Sequence, residues 1–256
     1  MYAEERHQHI VEQVHVEGRI SVTELAADLD VTPETIRRDL TTLDRAGMLH
    51  KVHGGAVPAS TLALPETGVG DREQVNTAAK HAIAQAAVER LGLAQGGSLL
   101  LDAGTTTGAL ARLIPADLNL TVVTDSVLAA AVLAARGDLT VRVLGGQVRG
   151  VTQAAVGPEA LETLATMRVD VAVIGANGLT AAHGLSTPDP DEAAVKRAMV
   201  RSARRVVALV DATKVGQEHL VSFAPLDVVD LVVTDAPLPP ALLTHLAHTG
   251  TEVLVA

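Results

Sequence analysis

Residues 32–56, TPETIRRDLTTLDRAGMLHKVHGGA, place an arginine pair, four threonines and a lysine on what their spacing makes one helix and the turn after it. Guanidinium and hydroxyl groups on one exposed helix face suit nucleic-acid recognition, since Arg either bonds guanine with two hydrogen bonds or clamps a phosphate. Thr32 predicts the N-cap and Pro33 the first helical position. Ile36, Leu40 and Leu43 form an inner stripe, which leaves Glu34, Thr35, Arg37, Arg38, Thr41 and Thr42 facing out. Gly47 ends the helix in the left-handed conformation. The candidate DNA-contacting residues are Thr32, Glu34, Thr35, Arg37, Arg38, Thr41, Arg45, Lys51 and His53, with Thr35, Arg37 and Arg38 foremost.

Such a helix reads DNA only if other elements hold it. Ser21-Val22-Thr23-Glu24 spells a capping box for a short helix through Leu25 and Leu29, with a tight turn at Asp30 and Val31. The pair makes a helix-turn-helix, backed by a helix over 3–16 that buries Ile10, Val11 and Val14. The second helix of such a pair enters the major groove. Residues 48–57, broken by Gly54-Gly55, predict a hairpin wing carrying His50, Lys51 and His53 toward backbone phosphates.

A second group of candidates lies where apolar strands give way to helices. Strands are expected at 98–101, 120–124, 139–144, 169–174, 205–210, 231–234 and 252–255, and helices at 72–93, 106–113, 127–135, 158–166, 191–203 and 240–247. This alternation implies a largely parallel α/β sheet with ligands at the carboxyl ends of its strands. Five such ends are polar or glycine-rich. They are Asp102 to Gly108, including Gly104, Thr105, Thr106 and Thr107; Thr124-Asp125-Ser126; Gly145-Gly146-Gln147; Gly175 to Gly178 with Asn177; and Asp211 to Lys214. Free amides and hydroxyls at the first favour a phosphate, although no Gly-Lys-Ser/Thr follows to make it a Walker loop. A lone glycine corner usually just makes a turn; five together point to a small anionic ligand.

Composition bounds these readings. With 256 residues and 48% hydrophobic content, the chain can bury one large core and a satellite domain. The absence of cysteine excludes disulfides and thiolate chemistry. No apolar leader opens the sequence and no apolar run spans a bilayer, so a soluble cytoplasmic protein without membrane contact is expected. The net charge of −10 opposes DNA binding, and residues 1–57 hold six basic against ten acidic side chains. Arg37, Arg38, Arg45 and Lys51 nevertheless gather at the second helix and wing, which leaves a local basic face. Few phosphate contacts per subunit, and so a dependence on dimerisation and salt, are expected.

The run at 32–56, with Arg6 and Ile10 ahead of it, resembles the signature of the DeoR family of bacterial transcriptional regulators, and the likeness extends over most of the chain. That resemblance implies a winged helix-turn-helix (1–57), a linker (58–71) and a sugar-phosphate sensor (72–256) whose fold resembles ribose 5-phosphate isomerase. It implies double-stranded operator DNA and a phosphorylated sugar as partners, a homodimer or higher homo-oligomer, and no cofactor. The effector-binding residues it suggests are Arg72 and Lys80 on one helix, the 102–107 loop, Thr124, Asp125, Ser126, Asp211 and Lys214, beside Gly145, Gly146 and Asn177 from the loop pattern. Lys196, by contrast, is expected as a surface or supporting charge. Family members commonly carry Asn where this chain has Asp125, and a carboxylate there repels phosphate unless it meets sugar hydroxyls. The run GANGLTAAHGLSTPDPDEAAVKRAM is similar to fructose-utilisation regulators within the family, which suggests fructose 1-phosphate or fructose 1,6-bisphosphate.

Two rival readings are weaker. An isomerase-like enzyme needs a carboxylate base in the loop at 175–178, where Ala176 and Asn177 stand instead. A metal site is suggested by ten histidines, but His7 and His9 face different sides of a helix, and His245 and His248 lack a third ligand.

Overall fold

The computed structural model describes residues 3–52, 54–59 and 66–256, in two compact units divided between Thr67 and Gly68. In the first, α1 (Ala3–Glu17), β1 (Ile20–Ser21), α2 (Val22–Asp28), α3 (Pro33–Arg45), β2 (Leu49–Val52) and β3 (Gly55–Pro58) follow in order. The capping box forms as read: Glu24 N donates to Ser21 Oγ at 3.1 Å, and Ser21 N to a Glu24 carboxylate oxygen at 2.8 Å. Thr32 caps α3 through Thr35 N at 3.3 Å, with Pro33 in the first turn. Ile10, Val14, Leu25, Ile36, Leu40 and Leu49 are fully buried between the three helices and the antiparallel sheet β1-β3-β2. Gly55 is required where that sheet closes, because a Cβ there would stand 2.0 Å from Ile20 O.

The second unit is built on seven parallel strands: β4 (Ser98–Leu101), β5 (Thr121–Thr124), β6 (Thr140–Val143), β9 (Val169–Gly175), β12 (Ala203–Leu209), β14 (Leu231–Thr234) and β15 (Glu252–Val255). Its helices are α4 (Val69–Gln74), α5 (Thr77–Arg90), α6 (Thr105–Ala111), α7 (Val127–Ala134), α8 (Pro158–Ala165), α9 (Pro190–Ser202) and α10 (Pro240–Thr249). Alternation at period 2 sends Leu99, Leu101, Val171, Val173 and Val207 to one face, against Ile83, Ala87, Leu110 and Leu133. Leu100, Ala172, Ile174, Val206 and Ala208 go to the other, against Leu164, Met199 and Leu246. Both faces are covered, as a parallel sheet requires. The order is β15-β14-β12-β9-β4-β5-β6, so the chain builds outward from β4 to one side and then crosses to β9 on the other. The topological switch point therefore lies between β4 and β9, where open α/β sheets leave a crevice at the strands' carboxyl ends.

Several expectations need correction. The single helix at 72–93 is two, α4 and α5, because Asn76 between them has a left-handed backbone with φ of 54°. Arg72 and Lys80 thus lie on different helices. Helix α4 begins at Val69, inside the segment read as linker. The hairpin of β7 (Gln147–Arg149) with β8 (Ala154–Val156), and the antiparallel sheet of β10 (Gly178–Thr180), β11 (Gly184–Thr187) and β13 (Val221–Ala224), were not expected at all.

Candidate nucleic-acid interface and effector site

On α3 the buried stripe fixes which residues face solvent. Glu34, Arg37, Arg38, Thr41 and Thr42, with Lys51 from β2, line an open concavity of about 410 Å³. Arg37 and Arg38 have 56% and 82% of their side-chain surface exposed, and Glu34 stands 3.4 Å and 3.8 Å from them. Lys51 Nζ donates to Thr41 Oγ1 at 2.9 Å, and Thr41 Oγ1 donates to Arg37 O at 2.7 Å, which ties the wing to the helix. Thr35 and Thr32 share a hydroxyl contact of 2.9 Å at the helix start. The structure thus brings together Thr32, Glu34, Thr35, Arg37, Arg38, Thr41 and Lys51; His53 and the side chain of Arg45 lie outside what it describes.

Behind this face, Arg6 of α1 holds Asp39 of α3 through two hydrogen bonds of 2.5 Å and 3.0 Å, and His7 Nε2 adds a third at 2.9 Å. Burial pushes the Asp39 carboxyl up, but the bonds from Arg6 and His7 outweigh it and the net shift is downward. His7 is therefore not a merely solvated helix residue, and His9 likewise reaches Asp28 at 3.0 Å. Among the described residues, no cluster of three or more His, Asp or Glu is arranged to hold a metal ion.

In the second unit the switch point carries charge. Asp102, at the end of β4, is 1% exposed. Its Oδ2 accepts from Gly175 N at 2.8 Å and from Lys196 Nζ, which also donates to Gly175 O at 3.2 Å. Lys196, expected as a surface or supporting charge, is 4% exposed and is the supporting one: α9 packs over β9 and points it inward. Burial works against the ammonium, but Asp102, Glu192 and Asp125 outweigh it and hold its pKa above the ordinary value. Burial raises the Asp102 carboxyl, while Lys196 and the Gly175 amide pull it back. The net shift of Asp102 is upward, so its ion pair with Lys196 is held against the burial of both groups. Asp102 Oδ1 has no hydrogen-bond partner, nor do the buried hydroxyls of Thr187 and Thr234.

Asp125 is 2% exposed and accepts from Ala103 N at 2.7 Å. Burial, and then the Asp102 charge, raise its pKa well above the carboxylate range. The side chain is thus driven toward its neutral acid, which removes the repulsion expected from a carboxylate there. Thr124 Oγ1 donates to Leu101 O at 2.6 Å, Ser126 caps α7 through Ala129 N at 3.1 Å, and Thr107 Oγ1 donates to Gly104 O at 3.0 Å. Thr105 and Gly104 remain partly exposed, and Thr106 is buried.

A second cluster forms around α4 and the end of β12. Lys80 is buried, donating to Arg72 O and, at 2.6 Å, to Val75 O. Burial lowers its pKa, Asp211 opposes this, and the nearby Lys214 and Arg72 lower it further. Arg72, Lys80, Lys214 and Asp211 are therefore neighbours. Asp211 Oδ1 accepts from Thr213 N at 3.1 Å and so shapes the turn that presents Lys214. Gly145 is exposed beside Gly146, which has φ of 120° and on which a Cβ would stand 2.3 Å from Val156 O, so Gly146 lets the chain enter the β7–β8 hairpin. Asn177 is half-buried and bonds through its backbone to Ser186 O at 3.0 Å. Besides Lys196, sequence reasoning missed Glu192, which lies buried against Thr152 and Arg149 of the hairpin. The signal for Lys196 was available, as its neighbours on α9 are apolar at helical spacing.

A winged helix-turn-helix with an exposed Arg pair, followed by a parallel α/β unit polar at its switch point, defines a DNA-binding regulator of two modules. Residues 6–61 match the DeoR-like helix-turn-helix domain and residues 75–236 the DeoR C terminal sensor domain. The chain belongs to the DeoR family of transcriptional regulators. It is 38% identical to the HTH-type transcriptional regulator GlpR of Haloferax volcanii, over 99% of this chain and 98% of that one. It is 32% identical to the glycerol-3-phosphate regulon repressor of Escherichia coli K12, over 93% of each. It is 34% identical to the regulator FruR of Bacillus subtilis, described as uncharacterised, over 92% of each. Similar solved structures include ribose 5-phosphate isomerase A of Methanocaldococcus jannaschii, at 18% identity and a TM-score of 0.38 over 55% of each chain.

Proposed function

We propose that the protein is a repressor of a sugar or polyol catabolic operon whose operator affinity is set by a small phosphorylated effector. The observation that carries this is the outward row of Arg37, Arg38, Thr41 and Lys51 around an open concavity, on a helix whose opposite face is locked into a core. Residues 1–57 read DNA, 58–71 link, and 72–256 sense. The exposed arginines suit base edges or phosphates, with Lys51 on the wing suited to phosphate.

The effector lies across the carboxyl ends of β4, β9 and β12. Its phosphate sits toward the amides of Thr105 to Thr107 and the cations Arg72, Lys80 and Lys214; its hydroxylated end sits toward Asp102, Thr124, Asp125, Ser126 and Asn177. Adjacent strands are about 4.8 Å apart, so the ends of β4 and β12 stand about 10 Å apart, the span of a small sugar phosphate. Glycerol 3-phosphate joins fructose 1-phosphate and fructose 1,6-bisphosphate as candidates, because relatives are named for glycerol 3-phosphate. A homodimer sets two reading helices at a fixed spacing, and ligand releases them by favouring another spacing. A differential affinity of about 1.4 kcal/mol changes operator occupancy tenfold.

Fluorescence anisotropy of operator duplex, titrated with each of these three compounds, tests this reading. Release by one of them is expected, with Lys214→Ala retaining DNA affinity but losing the response. Operator affinity unaltered by all three, together with no rise in melting temperature, overturns it.

A further inference from the structure

The proposed effector site contains one buried acceptor that the fold does not satisfy. Asp102 Oδ1 is closed off from solvent and has no hydrogen-bond donor, while Oδ2 of the same carboxylate takes both Gly175 N–H and Lys196 Nζ. A buried acceptor left empty costs on the order of 1–3 kcal/mol, more when charged, and such groups in native proteins mark a place for water or a ligand. The position is also informative. Asp102 and Gly175 end the two strands that flank the topological switch point, and Lys196 bridges them from α9. Ala103, Gly104 and Thr105 on one side, and Gly175, Ala176 and Asn177 on the other, are partly exposed, so the pair lies just beneath two accessible loops.

The chemistry of the unsatisfied atoms restricts what can bind. Oδ1 belongs to a carboxylate paired with an ammonium, so it accepts and does not donate. The ammonium has three protons, of which Asp102 and Gly175 O take two. The third meets no acceptor atom among the described residues, where the ammonium also stands 5.6 Å from the centroid of the Phe223 ring. A phosphate oxyanion offers no proton to Oδ1 and brings a second negative charge against it. A hydroxyl group does what neither a phosphate nor a methylene can: it donates its proton to Oδ1 and accepts the remaining Lys196 N–H on its oxygen.

We propose that the Asp102–Lys196 pair is the subsite that reads a hydroxyl of the effector, selecting a polyol or sugar at this end of the crevice and rejecting a bare alkyl chain or a second phosphate. Lys196 is thereby a specificity-determining residue, and Asp102 a hydroxyl acceptor rather than a phosphate ligand. The inference rests on the proposed phosphorylated effector and assigns one of its groups to one pair of side chains. Discrimination by a hydrogen-bonding site against an analogue that lacks the hydroxyl is large, because the buried partners are left unpaired.

Calorimetric and thermal-shift titration of the full chain separates the possibilities, with glycerol 3-phosphate, fructose 1-phosphate, propyl phosphate and inorganic phosphate as probes. One of the first two is expected to bind at least about 100-fold tighter than propyl phosphate, which keeps the ester but has no hydroxyl. Asp102→Asn and Lys196→Met, checked by circular dichroism, should cut that ratio to below about tenfold while inorganic phosphate binds as to the wild type. Propyl phosphate binding as tightly as the better hydroxylated ester in the wild type overturns the subsite and leaves the phosphate sensor standing. An undiminished ratio in folded Asp102→Asn overturns it too. If no phosphate ester binds, the sensor reading falls and the subsite with it. The wild-type comparison can still overturn the subsite if neither variant folds, and the variants are what assign the hydroxyl to this pair rather than to Thr124, Asp125, Ser126 or Asn177.

Discussion

Asp125 shows how burial changes what a residue type means. Its folded pKa is raised, so the native state favours the protonated acid: that contribution to stability is fully present below the unfolded value near 3.8 and is lost as pH rises through the folded value. Asp125→Asn keeps an oxygen for Ala103 N–H and has no proton to lose. Wild type and variant should melt together in acid, while at pH 8 the variant should melt at the higher temperature. Melting curves that stay parallel from pH 4 to pH 9 contradict the assignment. At the other end of the chain, Arg37→Ala or Arg38→Ala should weaken operator binding by about 1–3 kcal/mol and leave sugar-phosphate affinity alone. Loss of both affinities would mean that the arginines support the fold. The solvent-facing residues of α3 were legible in the sequence because N-cap, proline and buried stripe fix a helix's rotation, and rotation decides exposure. The apolar neighbours of Lys196 on α9 signalled its burial but not its partner, and nothing signalled the environment of Asp125: a pattern of residue types gives no dielectric environment, and only packing shows that Lys196 meets Asp102 across 94 positions.

At the scale of elements, the wing is the part that a single atom can dismantle. An added Cβ at Gly55 meets Ile20 O at 2.0 Å and Ser21 Cα at 3.0 Å, both backbone, so neither can move aside as a flexible side chain would. Gly55→Ala should part β1 from β3 at a cost of about 2 kcal/mol or more, weaken operator binding, and leave the thermal response of the α/β unit to sugar phosphate unchanged. A variant that binds operator as tightly as the wild type would show that the three-stranded sheet is not needed to present Lys51. The inner strands β4, β5, β9, β12 and β14 were readable because each is a largely apolar run ending at a polar or glycine corner, the mark of a strand covered on both faces. The break between α4 and α5 was hidden because Asn76 tolerates either helical or left-handed backbone, and the choice is made by tertiary contacts: Lys80 turns back to bind the last carbonyls of α4. The β7–β8 hairpin escaped for a different reason. It is held by bonds to distant segments, Ala155 N to Asp125 O at 2.8 Å and Val127 N to Gln153 O at 3.1 Å, rather than by any pattern of its own.

Across the whole molecule, the difficulty is that a chain of net charge −10 must approach a polyanion. The arrangement of the first unit reduces the problem without removing it. Asp39 is turned inward onto Arg6 and His7, Glu24 is engaged with Ser21, and Arg37, Arg38 and Lys51 are left on the reading face. With about three cationic contacts per protomer, a dimer displaces the counterions of about six phosphates. The slope of log K against log salt is then about −5 for the dimer, and near half that for one protomer alone. The proposed dimer is then expected to bind single half-sites poorly at physiological salt, its affinity depending on two reading helices engaging together. Any effector that alters their spacing forfeits the second set of contacts, which is enough to empty the operator without touching the interface itself. Operator binding measured between 50 mM and 300 mM potassium chloride, on full and half-site duplexes, checks this directly. Equal slopes on the two duplexes, or a full-site slope steeper than about −10, would show that cations outside the reading face also take part and that release by spacing is the wrong mechanism.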